Sequence, residues 1–492
     1  MLKAKSNHHT RIISIAVAVA LLAGCKTVGP DYQRPEVKMP AQYSEVTGEK
    51  SSNISNLQDA NIQVSGRQGL TTWWTLYQDP ILNDLVTKAR QNNTDIQLAV
   101  ARIEEADAAA REVGASVFPQ VDLNAAANRS RVTEAGASPA FSSNPRNNFK
   151  AQFGTSFELD FWGKLRRAQE SARAQALSTR YAKDTVALSL SGLVVSNYLT
   201  IRSLESQITL TQENLKSRDE SLALTKRRLE GGVASILDVH QAEVASANLN
   251  AQLAELTRLR ALSLHQLAVL TGELNLNLSV ADLKILPIPP TPPAGLPSSL
   301  LEARPDVRQA EQQMIAANAN IGVAKAALYP TISLTAGLGG ESLELGDILK
   351  SAARIWTGGL SLFLPIFDSG KRNAQVDKAS AKQKQALASY EGVIQNAFRE
   401  VNDALVDLRQ NTERETALNL SQEAAKKALE VANNRYLSGY SAYLDVLDAQ
   451  RVYNDTTLAF IQSRQARLIA SVALFKALGG GWQPATLEAK PV

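Results

Sequence analysis

The chain repeats itself, and that limits its possible folds more than any other feature. Arg228-Leu229-Glu230-Gly231-Gly232 lies over Arg435-Tyr436-Leu437-Ser438-Gly439 at an offset of 207 residues. The same offset lays Leu237-Asp238-Val239 over Leu444-Asp445-Val446, and Leu270-Thr271-Gly272 over Ala477-Leu478-Gly479. Upstream the offset becomes 211, with Asp95 over Asp306 and Phe118-Pro119 over Tyr329-Pro330. The four-residue difference must be absorbed between these blocks, most simply in a strand-connecting loop. Two copies of one supersecondary unit therefore fill most of the chain.

Each copy reads as short helix, two strands, long helix, tight break and medium helix. The first long helix is expected over about residues 165–229, a stretch without proline in which Val194, Ile201, Ile208, Leu215, Leu222 and Leu229 recur every seven residues, a coiled-coil seam. At about 1.5 Å per residue it spans about 100 Å. Gly231 and Gly232 reverse the chain, and Ser235 with Asp238 offers a capping-box start for a return helix to about residue 271. The short helix covers about 95–117. Their counterparts are expected at about 371–437, 441–478 and 306–328, the last opened by Pro305.

The strands follow a period of two. Phe149, Ala151, Phe153, Thr155, Phe157, Leu159 and Phe161 share one face, while Lys150, Gln152, Gly154, Ser156, Glu158 and Asp160 share the other. Val121, Leu123, Ala125 and Ala127 alternate in the same way, as do Ile332, Leu334, Ala336 and Leu338. Trp356, Leu360, Leu362, Leu364 and Ile366 share a face of the fourth segment. Each is long enough to cross a bilayer when tilted. Phe118, Tyr329, Phe161, Trp162 and Phe367 gather at one end, like an interfacial girdle. A soluble sandwich with one wet face is the alternative. Four spanning strands would leave two open edges in hydrocarbon, so other chains must close the barrel. Two chains give eight strands and a filled interior, three give twelve and an open lumen, and the polar inner face favours the second.

Composition agrees with long helices rather than a compact enzyme: aromatic residues are only 5% of the chain, and alanine and leucine carry its apolar content. A single cysteine excludes a disulfide framework and a Cys-rich zinc or iron-sulfur site. That cysteine ends an N-terminal segment with a basic start and an apolar run from Ile12 to Leu22, too short to span a bilayer. Leu22-Ala23-Gly24-Cys25 resembles a bacterial lipobox, which implies cleavage before Cys25 and a covalent lipid on its thiol. A buried free cysteine is the alternative. Lys26 stands where an inner-membrane retention signal would show Asp, so the resemblance implies sorting to the outer membrane. Without Lys3, Lys5 and Arg11 the chain has 49 bases against 48 acids, which gives no electrostatic reason for nucleic-acid binding. No later segment reaches about 18 consecutive apolar residues.

The organisation expected is a signal peptide (1–24), a lipid-anchored N-terminal segment with a short helix (25–92), a first repeat (93–284), a proline-rich connector (285–303), a second repeat (304–481) and a C-terminal tail (482–492). The connector holds six prolines between Pro287 and Pro297.

Seven blocks in order resemble the outer-membrane efflux proteins of the TolC type, in particular the lipoprotein branch serving tripartite drug pumps. They are Asp31-Tyr32-Gln33-Arg34-Pro35; Trp73-Trp74 with Asp79-Pro80-Ile81-Leu82; Phe157-Glu158-Leu159-Asp160-Phe161-Trp162-Gly163; Arg304-Pro305-Asp306; Pro365-Ile366-Phe367-Asp368 with Gly370-Lys371; Tyr443 through Arg451; and Ala477 through Trp482. The resemblance implies a mainly α chain with a transmembrane β-barrel portion, whose homotrimer forms a twelve-stranded β-barrel in the outer membrane and a twelve-helix α-barrel across the periplasm. A periplasmic adaptor and an inner-membrane resistance-nodulation-division pump would be its partners, with outer-membrane lipids around it. The same fold could serve metal-ion efflux or type I protein secretion. From another class, an envelope-bridging scaffold or adhesin lipoprotein would use the coiled coils alone.

The two copies differ where function is expected. Leu444, Asp448 and Arg451 stand at i, i+4 and i+7 on one helical face, and the aligned residues of the first copy are Leu237, Gln241 and Val244. The resemblance implies that the leucine, acid and base of the second hairpin constrict the periplasmic entrance. An exposed ion pair is the plainer reading. The resemblance also implies that the reversals, Gly231-Gly232 and Ser438-Gly439, are tips that dock the adaptor. Asp238 and Asp445 read as helix-start residues. Glu158 and Asp160 read as lumen-facing acids, about 7 Å apart on one strand face. A glycosidase-like use of that pair is the enzyme alternative, and a weak one. His240 and His265 are too far apart on one helix for a metal pair. Neither a metal nor a cofactor beyond the lipid is expected, and three methionines offer little relay for soft metal ions.

Overall fold

The computed structural model describes residues 27–40, 43, 71–131, 133, 144–279, 300–480 and 482. The signal peptide, Cys25, most of the proline-rich connector and residues 483–492 lie outside the described residues. After a 3-10 turn at Trp73–Tyr77 come α1 (Pro80–Asn92), α2 (Thr94–Ala115), β1 (Gln120–Ser130), β2 (Arg146–Leu159), α3 (Lys164–Glu230) and α4 (Ile236–Thr271). A single turn at Leu300–Ala303 precedes α5 (Pro305–Ala326), β3 (Thr331–Ser342), β4 (Arg354–Phe363), α6 (Lys371–Leu437) and α7 (Tyr443–Ala477).

The repeat holds to within one residue at the boundaries of the paired helices, while β4 stops three residues short of the aligned end of β2. α3 and α6 each have 67 residues and start and end 207 apart, while α2 and α5 each have 22 and stand 211 apart. The loop between β1 and β2 has 15 residues and the loop between β3 and β4 has 11, so the offset changes in the strand-connecting loop.

One compact unit comprises the described residues within Met1–Glu36, Arg102–Thr179 and Ala310–Tyr390. It contains the four strands, an antiparallel sheet in the order β1-β2-β3-β4. Leu123, Phe153, Leu338 and Trp356 are direct cross-strand partners in one row, and all are more than half exposed. Phe157, Leu334 and Leu360 form a second row on that face. The opposite face carries Asn124, Gln152, Ser156, Glu158, Ser333, Thr335, Thr357 and Ser361. A sandwich would cover the apolar face, yet among the described residues it lies open, and such a face belongs against lipid. β4 stops at Phe363, so Leu364 and Ile366, expected on the same strand face, fall beyond it; Pro365 cannot donate to a ladder and restricts the residue before it.

The N-terminal segment of this unit is tied to both repeats. Arg167 of α3 pairs with Asp31, Arg34 makes a two-pronged contact of 2.6 and 2.8 Å with buried Glu311 of α5, and Asn318 donates to the Pro30 carbonyl at 2.9 Å. A Cβ on Gly322 would come within 2.8 Å of the Val28 carbonyl oxygen, so only glycine lets this backbone lie so close to α5.

A second unit comprises the described residues within Val37–Ala101, Arg180–Gln309 and Glu391–Val492. Trp73, fully buried and stacked on Phe475 with centroids 5.1 Å apart, centres its core. Leu82, Leu85 and Val86 of α1, Leu190 to Ile201 of α3, Leu267 of α4, and Leu468 and Val472 of α7 pack around it. α3 contains one 18-residue window apolar enough for a membrane helix by composition, and that window is half buried. The seven-residue seam is deeply buried at Val194 and Ile201 but only half-buried at Ile208, Leu215, Leu222 and Leu229. Toward the reversal the most buried line runs instead through Leu204, Thr211, Arg218 and Thr225, the complementary heptad positions, and it is largely polar.

Candidate functional aperture

The two hairpin ends lie in the second unit. α3 closes on Gly232 (φ 74°), with Val233 N–H bonded to the Arg228 carbonyl at 2.9 Å. α6 closes in the same way on Gly439 (φ 78°), with Tyr440 N–H bonded to the Arg435 carbonyl at 2.9 Å. Both are left-handed helix ends that favour glycine. Gly231 and Ser438 precede them with φ outside that region. α4 has the expected capping box: Asp238 N–H donates to Ser235 Oγ at 3.2 Å and Ser235 N–H to Asp238 Oδ2 at 2.9 Å. At the aligned place α7 has Ala442, without a side-chain cap, so Asp445 acts there only through its charge in the first turn.

Leu444, Asp448 and Arg451 all lie on α7. Leu444 is 55% exposed, and Arg451 Nη2 donates to Asp448 Oδ1 at 2.7 Å with both side chains in solvent. That hydrogen bond, then the Asp448 charge, raises the Arg451 guanidinium above its ordinary pKa. Sequence reasoning missed Asp455, one turn on, which lies 3.5 Å from Arg451 Nη1. Its signal was its place at i+11 from Leu444 on the same stripe. The aligned first-copy stripe of Leu237, Gln241 and Val244 continues into Asn248 and carries no charge. Charge on the first hairpin sits elsewhere: Glu243 accepts from Lys226 Nζ at 2.9 Å and contacts His240 Nδ1 at 3.1 Å. Those bonds, the Lys226 one foremost, lower the Glu243 pKa. His240 and His265 both lie on α4 and come no closer than their spacing implied.

Behind the stripe, the inner face of α7 packs against α3 through polar contacts at every seventh α3 residue. Gln465 Nε2 donates to Thr200 Oγ1 (3.1 Å), Gln462 Nε2 to Gln207 Oε1 (3.2 Å) and Asn214 Nδ2 to Asn454 Oδ1 (2.6 Å), while the Ser221 and Tyr443 hydroxyls meet at 2.7 Å. The partner numbers fall as the α3 numbers rise, so the helices run antiparallel. At the tip, Tyr443, Val446, Leu447 and Ala242 form a small apolar cluster backed by Leu222 and Tyr436, and the Arg228 guanidinium covers the Tyr436 ring at 4.8 Å.

The acid pair of β2 is corrected. β2 ends at Leu159, so Asp160 shares no strand face with Glu158. Its carboxylate accepts from the N–H groups of Leu165 (3.1 Å) and Arg166 (3.0 Å) and pairs with Arg166, capping the first turn of α3. The helix N-terminus attracts the acid more strongly than the ladder can hold it. Glu158 is paired with Lys164 at 3.1 Å.

The sequence pattern of the family described as "Outer membrane efflux protein" matches residues 85–273 and again 296–480. The probable efflux pump outer membrane protein TtgC of Pseudomonas putida is 34% identical over 484 residues, 97% of each chain. The solvent efflux pump outer membrane protein SrpC of Pseudomonas putida is 34% identical over 470 residues, 94% of this chain and 97% of its own. The solved outer-membrane channel OprN superimposes with a TM-score of 0.84 at 30% identity, covering 93% of this chain and all of that one. A doubled helix-strand-helix unit, a sheet with an open apolar face and paired glycine-closed hairpins thus meet these likenesses along nearly the whole length, and the chain belongs to the outer membrane efflux protein family, as a TolC-type channel of the outer membrane.

Proposed function

We propose that three copies of this chain join their sheets into a twelve-stranded barrel and their helices into a twelve-helix duct, the exit channel of a tripartite pump. The observation that carries this reading is the four-stranded sheet with an uncovered apolar face, a polar opposite face and outer edges on β1 and β4 without a strand partner among the described residues. In hydrocarbon those edges require neighbours, and threefold closure supplies them with a water-filled lumen inside. Glu158 belongs to the lumen wall, whereas Asp160 serves as a helix cap.

Cys25 carries the lipid, and the clamped segment from Val28 to Arg34 holds the chain that leads from it. The reversals at Gly231-Gly232 and Ser438-Gly439 are the docking tips for a periplasmic adaptor, which couples the duct to an inner-membrane pump of the resistance-nodulation-division class. Leu444, Asp448 and Arg451, with Asp455, form the periplasmic aperture: around a threefold axis, rings of acids favour cations while acid-base contacts hold neighbouring helices together. The chain acts as a conduit and not as an enzyme, and needs no cofactor beyond the lipid. Its cargo is drugs and other small apolar molecules, in keeping with the solvent pump named for one relative and with a chain poor in methionine.

Single-channel conductance in a planar bilayer, measured beside the oligomer mass in detergent, tests the assembly. A trimer with stable conductance is expected. A monomer, or a trimer that leaves the bilayer sealed at every voltage and pH, would instead support a scaffold.

A further inference from the structure

The α3–α7 seam contains one position that its polar ladder does not explain. Arg218 lies between two rungs, four residues after Asn214 and three before Ser221, and is 9% exposed. Its Nη1 is enclosed and has no hydrogen-bond partner among the described residues. The aligned residue of the second copy is Ala425, so the repeat itself does not ask for a charge here. Burial lowers the basicity of Arg218, and among the described residues Tyr443 is the other group that acts on it. On α7, Gln450 stands between the same two rungs, four residues before Asn454 and seven after Tyr443. Its Oε1 is likewise enclosed and without a partner among the described residues. The register that pairs 214 with 454 and 221 with 443 sets Arg218 opposite the turn from Val446 to Gln450. A buried donor and a buried acceptor thus share one interval of the seam without meeting. Desolvated groups left unmatched in this way weaken the packing that encloses them.

We propose that Arg218 and Gln450 are positioning residues for the aperture helix. They penalise the packed seam seen here and bond to each other when α7 shifts along α3, so that the stripe of Leu444, Asp448 and Arg451 has two settings. This rests on the aperture reading above. A seam of apolar residues would favour one packing alone, whereas a mismatch in one setting that becomes a bond in the other lowers the difference between them.

The test uses the full trimeric channel with Arg218→Met, Gln450→Met, the double variant and Arg218→Lys. Each Met variant removes an unmatched group from the packed seam, so amide exchange across Tyr443–Asn454 is expected to slow about threefold or more. In single-channel records the same variants should lengthen dwell at the level that dominates the parent trace. The double variant should lengthen it no further than the larger single change, since both remove one bond, and Arg218→Lys, which keeps a donor, should return it toward the parent. Faster exchange in either Met variant would mean that the groups are already satisfied and would overturn the proposal. So would unchanged dwell times, or dwell changes that multiply independently in the double variant. If Asp448→Ala with Arg451→Ala conducts like the parent while the Met variants alter dwell, the latch stands and the aperture reading fails.

Discussion

Replacing Gly439 by alanine tests the hairpin geometry with little else in play. The residue sits at φ 78°, and a Cβ built there finds no heavy atom within 4 Å, so the substitution adds backbone strain and no clash. An L-residue in the left-handed region costs about 1–2 kcal/mol. Alanine recovers part of this, about 0.4–1 kcal/mol, by narrowing the unfolded ensemble. The net is a loss of about 1 kcal/mol, or about a fivefold rise in local opening. The reporter is the Tyr440 amide, which closes the reversal on the Arg435 carbonyl. Its exchange should quicken about fivefold in Gly439→Ala. Asparagine at 439, which tolerates this region, should cost less, and valine more. The control is Gly392, inside α6, outside the positive-φ region and with open space for a Cβ. Gly392→Ala should stabilise its helix by about 0.5–1 kcal/mol and slow exchange nearby. If Gly439→Ala also slows exchange, the strain argument is wrong. If it quickens exchange and efflux is unimpaired, the tip reverses the chain but does not dock the adaptor.

Three further outcomes are expected. Radiolabelled palmitate should enter the protein and be lost with Cys25→Ser; label kept by the variant would remove the anchor. Arg34→Ala should lower stability by about 1–2 kcal/mol, because it takes from buried Glu311 its two-pronged charged partner, but less than the 3–5 kcal/mol of a fully buried pair because Arg34 reaches solvent and the Tyr32 hydroxyl still donates to Glu311 at 3.3 Å. Thermal unfolding should show partial recovery in Arg34→Ala with Glu311→Gln, and a double variant weaker than the single would refute the clamp. Asp448→Ala with Arg451→Ala should raise single-channel conductance and reduce cation selectivity, most at low salt, whereas Asp238→Ala should change neither; parent-like conductance at both salt extremes places the gate elsewhere.

Most of the architecture was legible because it is written twice. Glycine at 232 and 439 marks the reversals, Ser235 and Asp238 mark a helix start, and strict alternation from Phe149 to Leu159 marks a strand, each by a local rule that needs no knowledge of the partner. What the sequence hid is chiefly polar and long-range. A search for apolar heptads finds Ile208, Leu215 and Leu222, which are only half-buried, and passes over Thr211, Arg218 and Thr225, which are deeply buried. Asp160 continued the alternation on paper, and only the first turn of α3 explains why it left the strand. Asp455 was within reach of the same spacing rule that found Arg451.

The buried acids show what the repeat keeps and what it leaves free. Arg260 on α4 and Arg467 on α7 are aligned at the 207 offset, and each turns into a deeply buried glutamate on the long helix of its own copy. Arg260 meets Glu205 at 2.7 Å, with Arg202 on the other oxygen also at 2.7 Å. Arg467 meets Glu415 at 3.1 Å, beside Arg464. The two glutamates are not aligned with each other, since the first-copy residue over Glu415 is Ile208. The arginine pair and the buried acid therefore recur as an arrangement, built from different long-helix positions. Removing one member of such a triad strands a charge, so each clamp fixes how its return helix lies on its long helix. On one side of the first clamp, α3 contributes Leu190 to Ile201 to the Trp73 core. On the other it offers the polar ladder, Arg218 and a glycine reversal. Amide exchange along α3 should accordingly be slowest around Val194 and Ile201 and rise past Glu205 toward Glu230, because the apolar contacts that resist opening end at the clamp while the helix does not. The end of α3 that lies along the α7 stripe is thus the end with the fewest apolar contacts to hold it in one position.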